Sequence, residues 1–121
     1  MSQRSGEIEE ILSQEIARIR RPQVAALAKS LRVPPRLEER PWSYGHPGQT
    51  FPCWIVLEYL PSKTAISYCK EGFGPICPWG LLSTGKRLDM GEDSGWFVTL
   101  EEAVMNCVAW QGEDYSDLAP E

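Results

Sequence analysis

One histidine and four cysteines are the residues of this chain best suited to nucleophilic or metal chemistry. A catalytic thiol needs a nearby base, and His46 is the imidazole that could serve Cys53, Cys69 or Cys77. This pattern describes a small thiol-dependent enzyme or hydrolase in which the imidazole lowers a thiol pKa. His46 lies in the Gly/Pro-rich sequence Tyr-Gly-His-Pro-Gly, however, and the elbow Gly-x-Ser-x-Gly is absent. A histidine in a surface loop is the simpler interpretation.

The cysteine spacing does not favour a metal site. Structural zinc sites usually contain a C-x₂₋₄-C pair, and this sequence has none. A composite site of His46 and Cys53 is an alternative. We interpret Cys53 and Cys107 as small core residues, and Cys69 and Cys77 as free thiols beside a loop. The sequence therefore predicts no metal and no cofactor.

Two further motifs have simpler structural interpretations. The carboxylate pairs at 92–93 and 101–102 could serve acid–base chemistry, but residues adjacent in sequence do not thereby face one substrate. Gly72-Phe-Gly-Pro lacks the Lys and Ser/Thr of a phosphate-binding loop, and Pro75 has no N–H to donate. We therefore expect solvated charges and a sharp turn.

The charges are distributed unevenly along the chain. The first 50 residues contain eight Lys or Arg and six Asp or Glu. After Arg87 no basic residue remains, while nine side chains are acidic: Asp89, Glu92, Asp93, Glu101, Glu102, Glu113, Asp114, Asp117 and Glu121. An acidic end attracts basic surfaces and repels nucleic acid. With a net charge of −5, the chain is not expected to bind DNA or RNA.

Three of the five tryptophans, Trp42, Trp79 and Trp96, lie in or beside Gly/Pro-rich segments. Loops often carry function, and tryptophan is enriched at binding surfaces. These rings could form a recognition patch bordered by Asp89, Glu92 and Asp93. The alternative is that they seal the core beneath the loops, since large apolar areas are rarely left exposed.

The elements that must position these residues follow from periodicity and capping signals. Apolar residues at helical spacing predict helices over 6–20 and 22–32, and Pro22 suits the first turn of the second. Thr99-Leu-Glu-Glu is a capping box that predicts a helix over 100–111. Strands are expected at 53–59, 64–70, 79–83 and 96–98. Five prolines and two glycines predict a long loop over 34–52.

These elements indicate one α+β domain over residues 1–112, followed by an acidic tail over 113–121 whose composition is typical of disorder. The expected sheet is antiparallel and three- or four-stranded, with two N-terminal helices and one C-terminal helix. The predicted core consists of Ile11, Ile16, Leu27, Ile55, Leu57, Ile66, Leu100, Val104 and Val108. No apolar run approaches the roughly 20 residues of a membrane span, and the first residues lack the apolar stretch of a secretory signal. We expect a cytoplasmic protein that does not bind membranes.

Two segments carry a resemblance to a known group: Gly72-Phe-Gly-Pro-Ile-Cys-Pro-Trp-Gly-Leu and Met90-Gly-Glu-Asp-Ser-Gly-Trp-Phe-Val-Thr-Leu-Glu-Glu-Ala. In these segments, and in size and acidity, the chain resembles the small acidic α+β proteins of bacteria that include immunity proteins of polymorphic and contact-dependent toxin systems. The resemblance implies a non-catalytic protein that neutralises a basic toxin. The expected partner-binding residues are Asp89, Glu92, Asp93, Trp96, Trp79 and Trp42.

Overall fold

The computed structural model of this chain describes residues 5–41, 48, 50–70, 76–84, 95–107 and 110. The elements in chain order are α1 (Ser5–Ala17), α2 (Pro22–Leu31), β1 (Arg32–Pro41), β2 (Thr50–Tyr59), a 3₁₀ turn (Leu60–Ser62), β3 (Thr64–Tyr68), β4 (Trp79–Ser83), β5 (Trp96–Phe97) and α3 (Leu100–Asn106). All strand pairs are antiparallel, in the order β1-β2-β3-β4-β5. This confirms the predicted α+β class. The predicted strand number was too low, because the sheet has five strands.

The missing strand is β1, which occupies residues 34–41 of the predicted loop over 34–52. Its prolines are compatible with pairing because β1 is an edge strand, where an absent N–H can face solvent. Pro34 and Pro35 fall in a register shift between Arg32 and Arg36, so neither belongs to the regular ladder with β2. The loop prediction was therefore wrong over 34–41 and 50–52, where proline was taken as a strand breaker.

The helices lie close to their predicted positions. α2 begins at Pro22 as predicted, since the fixed φ of proline suits the first turn of a helix. α1 ends at Ala17, three residues early, where Arg18 N–H and Ile19 N–H donate to carbonyls three residues back. α3 ends at Asn106, earlier than the predicted 111. No helix in the described part of the chain is long and apolar enough to cross a membrane.

The helices pack on one face of the sheet, which we call the helix side. Its fully buried residues include Ile8 and Leu12 from α1, Val24 from α2, and Leu100 and Val104 from α3. On the sheet, a bulge between Ile55 and Leu57 directs both Val56 and Leu57 into this core: these two, with Ile66 and Trp79, complete it. Burying a side chain of this size contributes about 1.5–3 kcal/mol.

The opposite face of the sheet, which we call the helix-free face, is also buried. Its core contains Cys53, Ile55, Ala65, Cys69, Leu82 and Trp96. Most of the predicted core is confirmed across the two faces: Ile16, Ile55, Leu57, Ile66, Leu100 and Val104 are buried. Ile11 and Leu27 lie half-buried at the margin of the helix side. Val108 and the predicted tail 113–121 lie outside the described residues.

Arg40 shows that the sheet is strongly curved. It belongs to β1, yet its Nη1 donates to the carbonyl of Ser83 on β4 at 3.0 Å. Two strands separate β1 from β4 in the sheet order. The β1–β2 hairpin must therefore curl over the helix-free face, and Phe51 and Val33 from this hairpin pack against the core there.

Candidate functional site

The six residues predicted to bind a partner fall into two groups. Trp42, Asp89, Glu92 and Asp93 lie outside the residues that the structure describes. Trp79 and Trp96 are 3% and 4% exposed. Rings this deeply buried have almost no surface to offer a partner, so both positions fit the alternative that the tryptophans seal the core.

The two buried tryptophans hold β4 and β5 together from opposite faces of the sheet. Gly80 on β4 pairs with Trp96 on β5, and a Cβ on Gly80 would lie within 2.4–2.6 Å of three indole carbons. The Trp96 ring therefore lies directly over Gly80, in space that only glycine leaves free. On the helix side, the rings of Trp79 and Tyr68 have centroids 4.9 Å apart and are tilted by 57°.

Asp89, Glu92 and Asp93 belong to the connection between β4 and β5. At its first end, the Thr84 N–H donates to the Lys63 carbonyl at 2.8 Å and continues the β3–β4 ladder. At its second end, Trp96 is anchored over Gly80. In sequence, the predicted acidic residues thus lie between two paired strands of the sheet.

Two carboxylates, which we call the carboxylate clamp, join the ends of the helices: Glu101 and Glu15. The Glu101 carboxylate accepts backbone N–H groups of Arg20 and Arg21 at 3.4 and 3.3 Å, and Nη1 of Arg21 at 3.1 Å. Glu15 on α1 reciprocally accepts the Leu100 N–H, at the start of α3, at 3.3 Å. Glu101 therefore accepts N–H groups at the entry to α2, and Glu15 accepts the first N–H of α3, which no intrahelical bond satisfies.

The clamp borders an open cleft of about 810 Å³, also lined by Arg18, Ile19 and Val98. Partial burial opposes the ionisation of Glu101, but the donors from Arg20 and Arg21 outweigh it and lower the pKa of Glu101. An ionised carboxylate whose oxygens already accept several donors is a poor general acid. The geometry therefore indicates a structural role for this pair.

Glu102 also serves the fold. Its N–H donates to Thr99 Oγ1 at 3.2 Å, which confirms the predicted N-cap of α3. Its carboxylate lies 3.4 Å from the same hydroxyl, which donates to it. Of the nine acidic residues after Arg87, the two that the structure describes, Glu101 and Glu102, are thus both engaged at helix ends.

A second charged cluster lies at the β1–β2 edge, on the helix-free face. Glu38 accepts Arg40 Nε at 2.9 Å and Nη2 at 2.5 Å, and accepts Arg36 Nε at 3.1 Å. Burial opposes the ionisation of Glu38, but these two arginines outweigh it and lower the pKa of Glu38. Arg36 also donates to Glu58 at 3.2 Å, and this bond is the main cause of a raised Arg36 pKa.

Cys53 does not lie in an environment that activates a thiol. Cys53 is 0% exposed, and a hydrogen bond with the Cys69 thiol together with burial raises the pKa of Cys53, which is the opposite of nucleophile activation. His46, the proposed base, lies outside the described residues. Within the described ranges, no three His, Cys, Asp or Glu side chains are grouped as a metal site.

Sequence reasoning missed Arg40, Glu15 and Glu101 as organising residues. Arg40 is 1% exposed, although it follows Glu38 and Glu39 in a segment that reads as polar loop. The partners of Glu101 are 80 and 81 residues away, so no local spacing could reveal them. The alternating charges Arg36, Glu38 and Arg40 were the one local signal of a strand with a common face.

Comparisons with protein-family models, curated proteins and solved structures find no match to this chain, so its family is not assigned and its function is argued from its own residues.

Proposed function

We propose that this chain is a non-catalytic binding protein, most concretely a cytoplasmic immunity protein or inhibitor that neutralises a basic protein toxin. The observation that carries the proposal is the charge separation along the sequence, where all nine charged side chains after Arg87 are acidic. Opposite fields accelerate association and suppress wrong partners. A basic toxin domain is a partner with the complementary charge.

Two of the nine acidic residues are less available to a partner than the others. Glu101 and Glu102 are engaged at the ends of the helices. Carboxylates used in this way contribute to the fold and have less free charge to offer a partner. We therefore assign the contact to Asp89, Glu92 and Asp93, between the fixed ends of β4 and β5.

The burial of Trp79 and Trp96 changes the role proposed for these two residues. Trp79 and Trp96 are buried, so they are core residues and do not contact the partner in this proposal. Trp42 keeps its predicted role as an aromatic contact. Tryptophan is enriched among the few interface residues that supply most of the binding affinity.

The test begins with the partner, captured by pull-down from the native host and identified by its charge and toxicity. Association is then measured at increasing salt for the wild type and for D89N/E92Q/D93N. We expect the association rate of the variant to fall roughly tenfold at low salt. The difference should shrink at physiological ionic strength, where charges are screened beyond about 8 Å.

A charge-matched control is available on α1, where Glu7, Glu9 and Glu10 are all exposed. The variant E7Q/E9Q/E10Q removes the same charge from a different surface and should leave association nearly unchanged. Equal slowing by both variants would reduce the proposal to an effect of net charge. If neither variant slows association, the acidic site is wrongly placed.

A further inference from the structure

Two cysteines face each other across the β2–β3 ladder. Trp54 pairs with Tyr68 and Ile55 with Ser67, so the antiparallel register places Cys53 opposite Cys69. The Cys69 N–H donates to the Pro78 carbonyl at 2.8 Å, so its backbone points toward β4 and away from β2. Cys53 and Cys69 therefore occupy a non-hydrogen-bonded pair of the ladder, the type in which side chains approach most closely.

This type of position suits a disulfide. Cα atoms of a non-hydrogen-bonded pair are about 4.5 Å apart, at the short end of the roughly 4.4–6.8 Å found for disulfides. Both thiols lie in the core of the helix-free face, and Cys53 and Cys69 are 0% and 1% exposed. The other two cysteines are placed differently, since Cys107 belongs to the helix side and Cys77 is half-buried at the margin of the helix-free core.

We propose that Cys53 and Cys69 form a reversible cross-strand disulfide when the protein meets a low-molecular-weight disulfide such as oxidised glutathione. Cys69 lies one residue beyond the end of β3, where opening of the ladder exposes it most readily. Its thiolate attacks the reagent, forms a mixed disulfide and releases one thiol. Cys53 then transfers its proton to solvent and displaces the second reagent thiolate.

The overall reaction is balanced. Two protein thiols lose two electrons and two protons and form one S–S bond, while one reagent disulfide gains them and becomes two thiols. The hydrogen bond with Cys69 and burial keep Cys53 protonated in the reduced protein. The order of attack follows from this, because Cys53 becomes the resolving thiol only after Cys69 has reacted and the ladder has opened.

The experiment treats the folded, reduced protein with a glutathione redox buffer, quenches it with acid and alkylation, and maps disulfides by peptide mass spectrometry. We expect loss of two hydrogens from the intact mass, with one cross-linked peptide joining Cys53 to Cys69. Excess reduced glutathione should restore both thiols. The same treatment in concentrated urea should yield mixed pairings, since four cysteines are then free to combine.

Single substitutions test the order of attack. In C53S, Cys69 should accumulate as a stable mixed disulfide with glutathione, whereas in C69S the Cys53 thiol should react at least tenfold more slowly. C77S should still form the Cys53–Cys69 bond. The proposal fails if the folded wild type carries glutathione on Cys77 alone, or if Cys69 pairs with Cys77. These outcomes are read from disulfide mapping of the wild type, so the test does not depend on whether each variant folds.

Discussion

The two faces of the sheet are built on different principles. The helix side is an apolar core contributed by three helices and by strands β2, β3 and β4, with Phe97 of β5 at its margin. The helix-free face contains two buried thiols and the guanidinium of Arg40. It also contains the hydroxyl of Ser67, which is buried without a hydrogen-bond partner in the described part of the chain. Apolar packing is non-directional, whereas hydrogen bonds depend on the distance and angle between donor and acceptor. The helix side should therefore set overall stability, and the helix-free face should set the curvature of the sheet.

The largest effect is expected from a cavity on the helix side. Leu57→Ala removes a fully buried side chain beneath the helices and should lower the free energy of unfolding by about 2–5 kcal/mol. Urea unfolding followed by circular dichroism measures it. Leu60→Ala is the matched control, because Leu60 is 72% exposed and should change stability by less than about 0.5 kcal/mol. Similar losses in both variants would contradict the burial described here.

On the helix-free face, Arg40→Met should cost about 1.5–3 kcal/mol, because it removes charge-assisted bonds to Glu38 and the bond to Ser83. Methionine retains most of the apolar part of the side chain, so most of the lost stability comes from the missing polar contacts. The variant should also increase hydrogen exchange at the Thr50–Cys53 end of the hairpin. Unchanged exchange there would mean that Arg40 does not hold the hairpin over this face.

A smaller effect is expected where Trp96 covers β4. Gly80→Ala places a Cβ within 2.4–2.6 Å of the indole and should cost about 1–3 kcal/mol through overpacking. Trp96 should become more exposed to water, which shifts tryptophan emission to longer wavelength. In G80A/W96L the two penalties should be less than additive, because the clash is gone. Strict additivity would mean that the ring does not lie over Gly80.

The smallest effect concerns pH and compares one carboxylate from each face. The pKa values of Glu101 and Glu38 are lowered below the ordinary value of 4.5 by their donors. Each contribution to stability is therefore complete above about pH 4.5 and is lost as pH falls through the folded-state pKa. Glu38→Gln and Glu101→Gln should each flatten the acid limb of Tm against pH. Added salt should weaken the difference, because both carboxylates are partly exposed.

The sequence predicted those elements whose signals are local. Thr99 caps α3 and Pro22 begins α2, and both interactions lie within one turn of the residue that makes them. β1 could not be predicted because proline tolerance depends on being at a sheet edge, which is a property of the whole fold. The carboxylate clamp and the bond from Arg40 to Ser83 span 43 to 85 residues, beyond any periodic pattern.

The same limit applied to the candidate site. The acidic residues at 89–93 could be singled out by composition, and they remain a prediction. Composition could not distinguish these residues from Glu101, whose charge is engaged by Arg20 and Arg21. Likewise, the glycines near Trp96 in the sequence suggested an exposed aromatic side chain. The pairing of Gly80 with Trp96, which lets the ring pack on the sheet, depends on the fold.

The bond between Arg40 and Ser83 has a consequence for self-association. Because Thr84 N–H bonds to Lys63, the polar backbone groups of Ser83 point away from β3, toward the outer side of β4. Among the residues that the structure describes, β5 pairs with β4 at Trp79 and Gly80, and Ser83 lies three residues further along β4. An exposed carbonyl there would invite a strand from another molecule. The guanidinium occupies it, so one arginine both bends the sheet and discourages aggregation through that edge.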